Sequence, residues 1–486
     1  MHSPLVRASA LTALCATFAL AAPAWASGIS VARFGGAHGN VTATNPSTMY
    51  YNPAGFAGQG TQVMLDVNLA LRMASYERFA DNIDPVPDSV DDAGAYSEAN
   101  SGEASLTNFV YAPMLGVTTD FGTGLPFSVG AAFFAPFGGQ SVWDTAPQND
   151  TYPGAEDGAQ RWYVMEGTIR TLALALGVAY RIEPLRLSLG VTGNLYMSEI
   201  DTARARTATG DDNLLNEGRS YLKAESTDFG LGIGVLAEPI EGRLWLGASY
   251  QTAPNFNGEL EMEGTLQNIF PPNYEDPTDI IITNQLPDII RLGARWRPRE
   301  DLELRLFGDY TRWGRLEQQC IMATEQIDVV NERRAENGEG TLDAYQICNV
   351  DADGATTNEG VDRAIIQNLI RRWQDAMGFR LGASYWLNER VELQFDLGYD
   401  GNAVPDESLE PALQDYNDIS IGVGGRFQLK DYFHLSVMAS DIIYFQRDTR
   451  GTQTADRFSA PSRQPPSSGV YSQNIFVFNT NLEFGF

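Results

Sequence analysis

The chain has 486 residues, enough for several soluble domains or for one large barrel. Its 33 lysines and arginines stand against 62 aspartates and glutamates, and a net charge of −29 makes nucleic acid an improbable partner. Beyond residue 26 the sequence has no run of 18 apolar residues, which excludes membrane-spanning helices.

Residues 1–26 have the layout of a secretory signal peptide. Arg7 precedes an apolar stretch at 8–22, and Ala24-Trp25-Ala26 follows it as a cleavage site. The apolar stretch is too short to span a bilayer comfortably, which argues against a membrane anchor. We therefore expect the mature chain to begin at Ser27.

Residues 27–60 contain an irregular stretch at 45–56, which reads Asn-Pro-Ser-Thr-Met-Tyr-Tyr-Asn-Pro-Ala-Gly-Phe. Each Asn-Pro step disfavours a helix and removes a backbone donor, so this stretch is neither a helix interior nor a central strand. Met49, Tyr50 and Tyr51 need a surface to pack on, and the neighbouring glycines offer none. Such a segment cannot hold itself together, so we expect a larger structure to enclose it as a plug.

From residue 61 onward, apolar and polar residues alternate with a period of two, as in strands that present two different faces. We predict fourteen strands, at 61–75, 106–120, 126–138, 164–182, 185–205, 221–237, 243–263, 280–297, 302–318, 374–387, 390–400, 415–429, 432–447 and 473–486.

The connections between these strands alternate in length. Those after even-numbered strands are short, those after odd-numbered strands are longer, and the longest is 319–373. Strict alternation is typical of an up-and-down membrane barrel, whereas a Greek-key sandwich has no reason to keep it. Residues 61–486 are therefore predicted to form an all-β, antiparallel transmembrane barrel of about 14 strands.

Aromatic residues support the same fold. Tyr180, Trp296, Tyr385 and Phe427 are predicted on the outer face just before short turns, where a membrane-interface girdle belongs. The final strand alternates apolar and polar residues and ends at Phe486. That ending resembles the tail by which outer-membrane barrels are recognised, so the barrel assembly machinery is an expected partner.

Together these features resemble the FadL/TodX family of outer-membrane transporters for long-chain fatty acids and hydrophobic compounds. The resemblance rests on Asn52-Pro53-Ala54, on Leu286-Pro287-Asp288 leading to Asp-Tyr-Thr-Arg-Trp at 309–313, and on 397–405. The family fold is a fourteen-stranded barrel closed on the periplasmic side by an N-terminal hatch. The resemblance thus implies a hatch at 27–60 and a place in the outer membrane of a Gram-negative bacterium, in contact with its lipid.

The resemblance also implies a route for the ligand. In the family, ligand binding displaces the N-terminus of the hatch, and a kinked third strand leaves a gap in the barrel wall. The corresponding stretch is Ala135-Pro136-Phe137-Gly138, where the proline cannot donate to a strand ladder. The end of a strand before a long loop would explain the same residues equally well.

Inward-facing aromatic residues are the candidates for an apolar pocket in the lumen. Strand parity places Phe134, Phe307 and Trp313 on the inner face, and Ile29 is a candidate to reach inward from the hatch. Packing against the plug is the alternative role for each of them.

A buried carboxylate head group needs a cation or strong donors. Arg204, Arg206 and Arg315 lie on the inner face near the outer strand ends and are the candidates. Ion pairs with acidic residues of the lumen, such as Glu199 or Asp309, are the alternative.

Two loops depart from the familiar family pattern, in which the loops after the fifth and seventh strands carry much of the outer capture site. Here the loop after the fifth strand, 206–220, is short, whereas the loop at 319–373 is long. Ile365, Ile366, Leu369, Ile370 and Trp373 follow helical spacing, which predicts an amphipathic helix for surface capture or for packing within the loop.

Cysteine and acidic residues in this loop predict one cross-link and no metal. Cys320 and Cys348 alone remain after the signal, and two such cysteines usually pair in an oxidising compartment. Residues 349–354 resemble the start of a calcium-binding loop, but the twelfth position, where such a loop has an acidic ligand, is occupied by Gly360.

Other functional classes fit less well. After the signal, His38 and His434 are the only histidines and neither belongs to a Ser-His-Asp pattern, so the chain is not expected to be an enzyme. The plug argues against an open porin or an adhesin. We expect a monomeric transporter without a cofactor that takes up fatty acids, with aromatic or alkane hydrocarbons as the alternative ligands.

Overall fold

The computed structural model describes residues 33–123, 126–351, 355–453 and 463–486. The predicted signal peptide, Ile29 and the first part of the hatch lie outside these residues. In the described ranges, no helix has both the length and the apolar character needed to cross a bilayer.

Fourteen antiparallel strands form the wall of a closed barrel, as predicted. They are β1 Gln62–Arg78, β2 Gly102–Thr119, β3 Phe127–Val142, β4 Glu166–Ile182, β5 Leu187–Arg206, β6 Gly218–Ile240, β7 Leu244–Gln251 with Glu259–Phe270, β8 Thr278–Gln285 with Ile289–Arg299, β9 Leu302–Thr311 with Gln318–Ala323, β10 Ile365–Ile370 with Ala376–Asn388, β11 Val391–Asp400, β12 Asp418–Lys430, β13 Phe433–Tyr444 and β14 Val470–Gly485. Pairing of β1 with β14, from Gln62↔Gly485 to Glu77↔Val470, closes the barrel.

Short turns join the strands at one end of the barrel and longer loops at the other. The loops carry the helices α2 Ala93–Ala99, α3 Thr324–Glu336 and α4 Ala344–Cys348 and two short strand segments, Asn273–Tyr274 and Arg447–Asp448, while α1 Thr48–Tyr51 lies before β1. By the topology of outer-membrane barrels, the short turns face the periplasm.

The outer face of the wall is apolar and exposed. On β4, Leu176 is 63% exposed, whereas the side chains of its neighbours Ala173 and Ala175 are fully buried. Tyr180, Trp296 and Tyr385 are also exposed, close to the short turns. An apolar belt edged by aromatic residues suits a surface that faces lipid.

Residues 365–370 form a strand, so the prediction of an amphipathic helix there was wrong. They pair with the upper segment of β9, from Gln318↔Ile370 to Met322↔Ile365. A neighbouring strand supplied the hydrogen-bond partners, and tertiary pairing overrode a short pattern that fits either structure. The helices of this loop are α3 and α4, and the loop itself spans 324–364, which is shorter than predicted.

A disulfide joins Cys320 on β9 to Cys348 at the end of α4, with Cα atoms 6.1 Å apart. Around it lies a small apolar cluster formed by Met322, Val330, Ile347 and Val361, all buried. The longest loop is therefore folded against the wall around a core of its own.

Candidate functional site

Residues 33–60, called the hatch below, lie inside the barrel at the end with the short turns. Asn52 is fully buried. Its Nδ2 donates to the carbonyls of Val41 (2.7 Å) and Val235 (3.0 Å), and its Oδ1 accepts from the N–H of Ala54 (3.1 Å). One amide side chain thus ties two parts of the hatch to β6, and Pro53 begins the 3-10 turn Pro53–Phe56.

Glycines in the wall make room for the hatch backbone. A Cβ on Gly190 of β5 would lie 2.2 Å from the carbonyl carbon of Pro53, and one on Gly234 of β6 would lie 1.8 Å from Asn52 Oδ1. Neither distance is possible between non-bonded atoms, so only glycine permits this close approach.

Polar contacts hold the hatch to other sides of the wall. The N–H of Gly35 donates to Asp66 on β1 (2.8 Å), and Asn45 Nδ2 donates to Glu483 on β14 (2.8 Å). His38 Nε2 lies 2.8 Å from Glu392 Oε1 on β11. The hatch is therefore fastened by hydrogen bonds around the barrel rather than by apolar packing alone.

A cavity lies above the hatch and is more polar than the predicted apolar pocket. Tyr50, Tyr51, Trp313 and Trp373 line it together with Arg291, Arg380, Asp309 and Asp400, and it measures about 100 Å³. Arg380 pairs with Asp400 at 2.8 Å. Burial raises the pKa of Asp415, in the loop at its rim, to about 6, so this rim loses negative charge in mildly acidic medium.

The wall is interrupted between β2 and β3. Their backbone pairing runs from Thr119↔Val129 to Met114↔Phe134 and then stops. On its other side, β3 has a bulge against β4, because its register shifts between Phe134↔Ala173 and Phe137↔Thr171. Ala135 and Pro136 therefore lie together opposite a single residue of β4. In addition, neither Pro136 nor Pro113 of β2 has an N–H to donate.

Above this point, side chains partly replace the missing ladder; we call the facing stretches 105–113 and 135–142 the seam. Asn108 exchanges two hydrogen bonds of 3.0 Å with the backbone of Val142. Arg72 Nη1 reaches across from β1 to the carbonyl of Gln140 (2.8 Å) and to Ser141 Oγ (2.9 Å). On the outer face, the Phe109 side chain is 76% exposed beside the seam.

A second, smaller cavity lies directly behind the seam and is called the seam pocket here. Its mostly apolar lining includes Gly138, Gly139, Val164, Ile169 and Leu413, with Arg72 and Gln414 at one side, and its volume is about 50 Å³. The sequence prediction missed Arg72, although the alternation along β1 indicates that its side chain faces the lumen.

The predicted aromatic residues have different surroundings. Phe134 is buried against the hatch, with its ring centroid 5.3 Å from that of Tyr50. Trp313 lines the cavity above the hatch and stacks edgewise on Trp373 at 5.2 Å. Phe307 is half-buried and belongs to the lining of neither cavity.

The three predicted arginines do not form one site. Arg204 Nη1 donates to Gln464 Oε1 at 2.9 Å, and Arg206 donates to the carbonyl of Ile366 at 3.3 Å. The buried Nε and Nη1 of Arg206 have no partner among the residues that the structure describes. Arg315 lies in the interruption of β9 and pairs with Asp288 at 2.8 Å. Its charge is already balanced, unlike those of the other two.

Comparisons with known proteins agree with this fold. Residues 12–486 match the sequence model of the family described as outer membrane protein transport protein (OMPP1/FadL/TodX). A FadL homologue from Pseudomonas aeruginosa superposes with a TM-score of 0.69 at 14% identity, over 96% of this chain and 100% of that one. No curated protein matches the chain by sequence.

Two further solved structures are channels for aromatic compounds by their titles. The P. putida toluene transporter TodX gives a TM-score of 0.60 at 12% identity, over 96% of this chain and 99% of its own. The CymD monoaromatic hydrocarbon channel gives 0.55 at 12% identity, over 94% and 98%. At such identities the likeness shows a shared fold.

Proposed function

This chain belongs to the OMPP1/FadL/TodX family of outer membrane transport proteins, and on that premise we propose that it takes up long-chain fatty acids or similar hydrophobic compounds. The ligand enters the lumen from the loop side, the hatch rearranges, and the ligand leaves sideways through the seam into the bilayer. The protein resides in the outer membrane, as the family does.

The observation that supports this route is the interrupted pairing of β2 with β3 beyond Met114↔Phe134. A hydrophobic molecule gains free energy by leaving the barrel directly into lipid instead of entering the aqueous periplasm. At the seam no continuous backbone ladder has to break among the described residues, because beyond Met114↔Phe134 the two sides are joined by side-chain contacts and, at the upper end, by one backbone hydrogen bond from Asp144 N–H to the carbonyl of Ser105 (2.9 Å).

Rearrangement of the hatch follows from the size of the cavity above it. That cavity measures about 100 Å³, whereas pockets for drug-sized ligands usually measure roughly 300–1,000 Å³. A long acyl chain therefore fits only when hatch side chains such as Tyr50 and Tyr51 move away. The hydrogen bonds at Gly35, Asn45 and Asn52 are the contacts that such a movement exchanges.

Two observations favour different ligands. Arg204 and Arg206 have no carboxylate partner among the described residues, which favours an anionic head group. The likeness to TodX and CymD, titled as a toluene transporter and a monoaromatic hydrocarbon channel, favours aromatic hydrocarbons as the second candidate. The first is proposed because it uses groups of this chain.

Further parts of the proposal follow from the chain itself. The exposed terminal Phe486 is proposed as the signal for the barrel assembly machinery. Because β1 pairs with β14 and closes the wall within one chain, the protein is proposed to act as a monomer. His38 is proposed to have a structural role in the hatch, and no catalytic role is assigned to it.

Competition in purified protein tests the proposed ligand. We expect a labelled long-chain fatty acid to bind and to be displaced by unlabelled acid at concentrations at least about tenfold lower than those required of toluene, because the acid gains charged hydrogen bonds. Stronger displacement by toluene would favour the second candidate. A large, steady conductance of the wild-type protein in planar bilayers would identify a porin instead.

A further inference from the structure

Arg72 of β1 is a buried cation whose hydrogen bonds to the described residues all go to neutral acceptors. Its side chain is 3% exposed. Nε donates to Gln473 Oε1 at 2.8 Å, Nη1 donates to Gln140 O and Ser141 Oγ, and Nη2 makes one long contact of 3.4 Å to Gln414 Oε1. Nη2 therefore retains donor capacity, and both Arg72 and Gln414 line the seam pocket.

Several other buried arginines of the barrel and its loops have acidic partners, although Arg206 and Arg291, like Arg72, bond only to neutral acceptors among the described residues. Ion pairs join Arg78 to Asp212, Arg305 to Glu303, Arg371 to Glu410 and Arg380 to Asp400. A buried guanidinium without an anion is costly, because burial removes its hydration without supplying an opposite charge. Within the described part of the chain, Arg72 has no ion pair that offsets this cost.

Two amide groups beside Arg72 also lack acceptors. Gln414 and Gln473 are 4% and 6% exposed, and each directs its Oε1 toward the guanidinium. Their Nε2 atoms are buried and have no hydrogen-bond partner in the described part of the chain. A buried cation and two orphaned donors together form a group that only acceptors can satisfy, and a negatively charged acceptor satisfies it best.

The seam pocket adds an apolar surface to these donors. Gly138, Gly139, Val164, Ile169 and Leu413 line it, and the first two belong to the strand that borders the seam. A molecule with one anionic end and one apolar end matches this combination. A neutral hydrocarbon in this pocket would leave the free donors of Arg72 and Gln414 unsatisfied.

Resting on the proposed function, we propose that Arg72, with Gln414 Nε2, binds the carboxylate head group of the transported molecule in the seam pocket, which both residues line. The substrate class is then an acyl carboxylate, that is, a fatty acid in its ionised form. The head group is held beside the seam while the chain lies against the apolar lining, so recognition of the charge takes place at the exit.

The test compares an acid with the alcohol of the same chain length. Affinities of hexadecanoic acid and hexadecanol are measured on the purified full chain in detergent, in mildly alkaline buffer, for wild type, Arg72→Gln and Arg170→Gln. Arg170 of β4 is the matched control. It lies opposite Gly138 in the strand register, but its side chain is on the face of β4 that points away from the seam pocket, where it pairs with Glu199.

We expect Arg72→Gln to weaken binding of the acid about tenfold or more and binding of the alcohol less than about twofold, since one charged hydrogen-bond donor is lost. Arg170→Gln should change neither. Equal weakening of acid and alcohol, or no change in either, would overturn the proposal and leave Arg72 as a tie across the seam. If wild type binds neither compound, the proposed function itself fails, and this inference fails with it.

A structure of the wild-type protein with 2-bromohexadecanoic acid provides a test that requires no variant. Anomalous scattering locates the bromine, which marks the carboxyl end. Bromine between Arg72 and Gly138 is the expected result. Bromine beside Arg204 and Arg206, or in the cavity above the hatch with the seam pocket empty, would overturn the assignment.

Discussion

Deletion of Pro136 is expected to reduce uptake at least about tenfold while ligand binding by the purified protein stays within about twofold, because the deletion lets the interrupted ladder form. Ala135 and Pro136 face one residue of β4, so removing one of them restores a regular register. Phe137 and Gly139 still face inward after the deletion, because it removes only the one extra residue that forms the bulge. Uptake of labelled fatty acid into cells that produce each variant measures the effect.

Pro136→Ala is the matched control for this deletion. It keeps the number of residues and the bulge, and it restores only one N–H, so more than about half of the uptake should remain. Hydrogen exchange at the amides of β2 residues 106–112 reports directly whether the ladder has extended. Normal uptake by a deletion variant whose amides have become protected there would contradict exit through the seam.

The double substitution of Gly190 and Gly234 by alanine is expected to displace the hatch and open the barrel. The new methyl groups would lie 2.2 Å from the Pro53 carbonyl carbon and 1.8 Å from Asn52 Oδ1, so the hatch turn has to leave its site. A plugged barrel then becomes a water-filled one. Planar-bilayer recordings should show a steady conductance at least about tenfold above the wild-type level.

Gly193→Ala is the control on the same strand. An added Cβ there would meet only the Phe229 ring, at an ordinary 3.4 Å, and the hatch would stay in place. Conductance of this variant should equal that of wild type. A silent double variant with a correctly folded wall would show that the hatch does not close the barrel.

The barrel was predictable because its pattern repeats in every strand. Alternation in segments such as 172–180 fixes which side chains face lipid, and the alternation of short and long connections fixes the topology. The interruptions of β7 to β10 were not predictable. They depend on contacts such as Arg315 with Asp288, which lie 27 residues apart and show no local pattern.

The site was predictable only in part for the same reason. Pro136 marks a weak place in β3, but the end of the ladder depends on β2, where Pro113 also lacks a donor. Arg72 was missed although its inward parity was readable. Its importance lies in the absence of an acidic partner among the described residues, and only the assembled barrel reveals which acids approach which arginines.

Photo-cross-linking at the outer lip of the seam tests lateral exit most directly. A photoreactive amino acid replaces Phe109 beside the seam or Phe395 on the lipid face of β11, and cells are illuminated during uptake of a labelled fatty acid. Exit through the seam predicts strong labelling at position 109 and background labelling at 395. Equal labelling at both positions during normal uptake would contradict it.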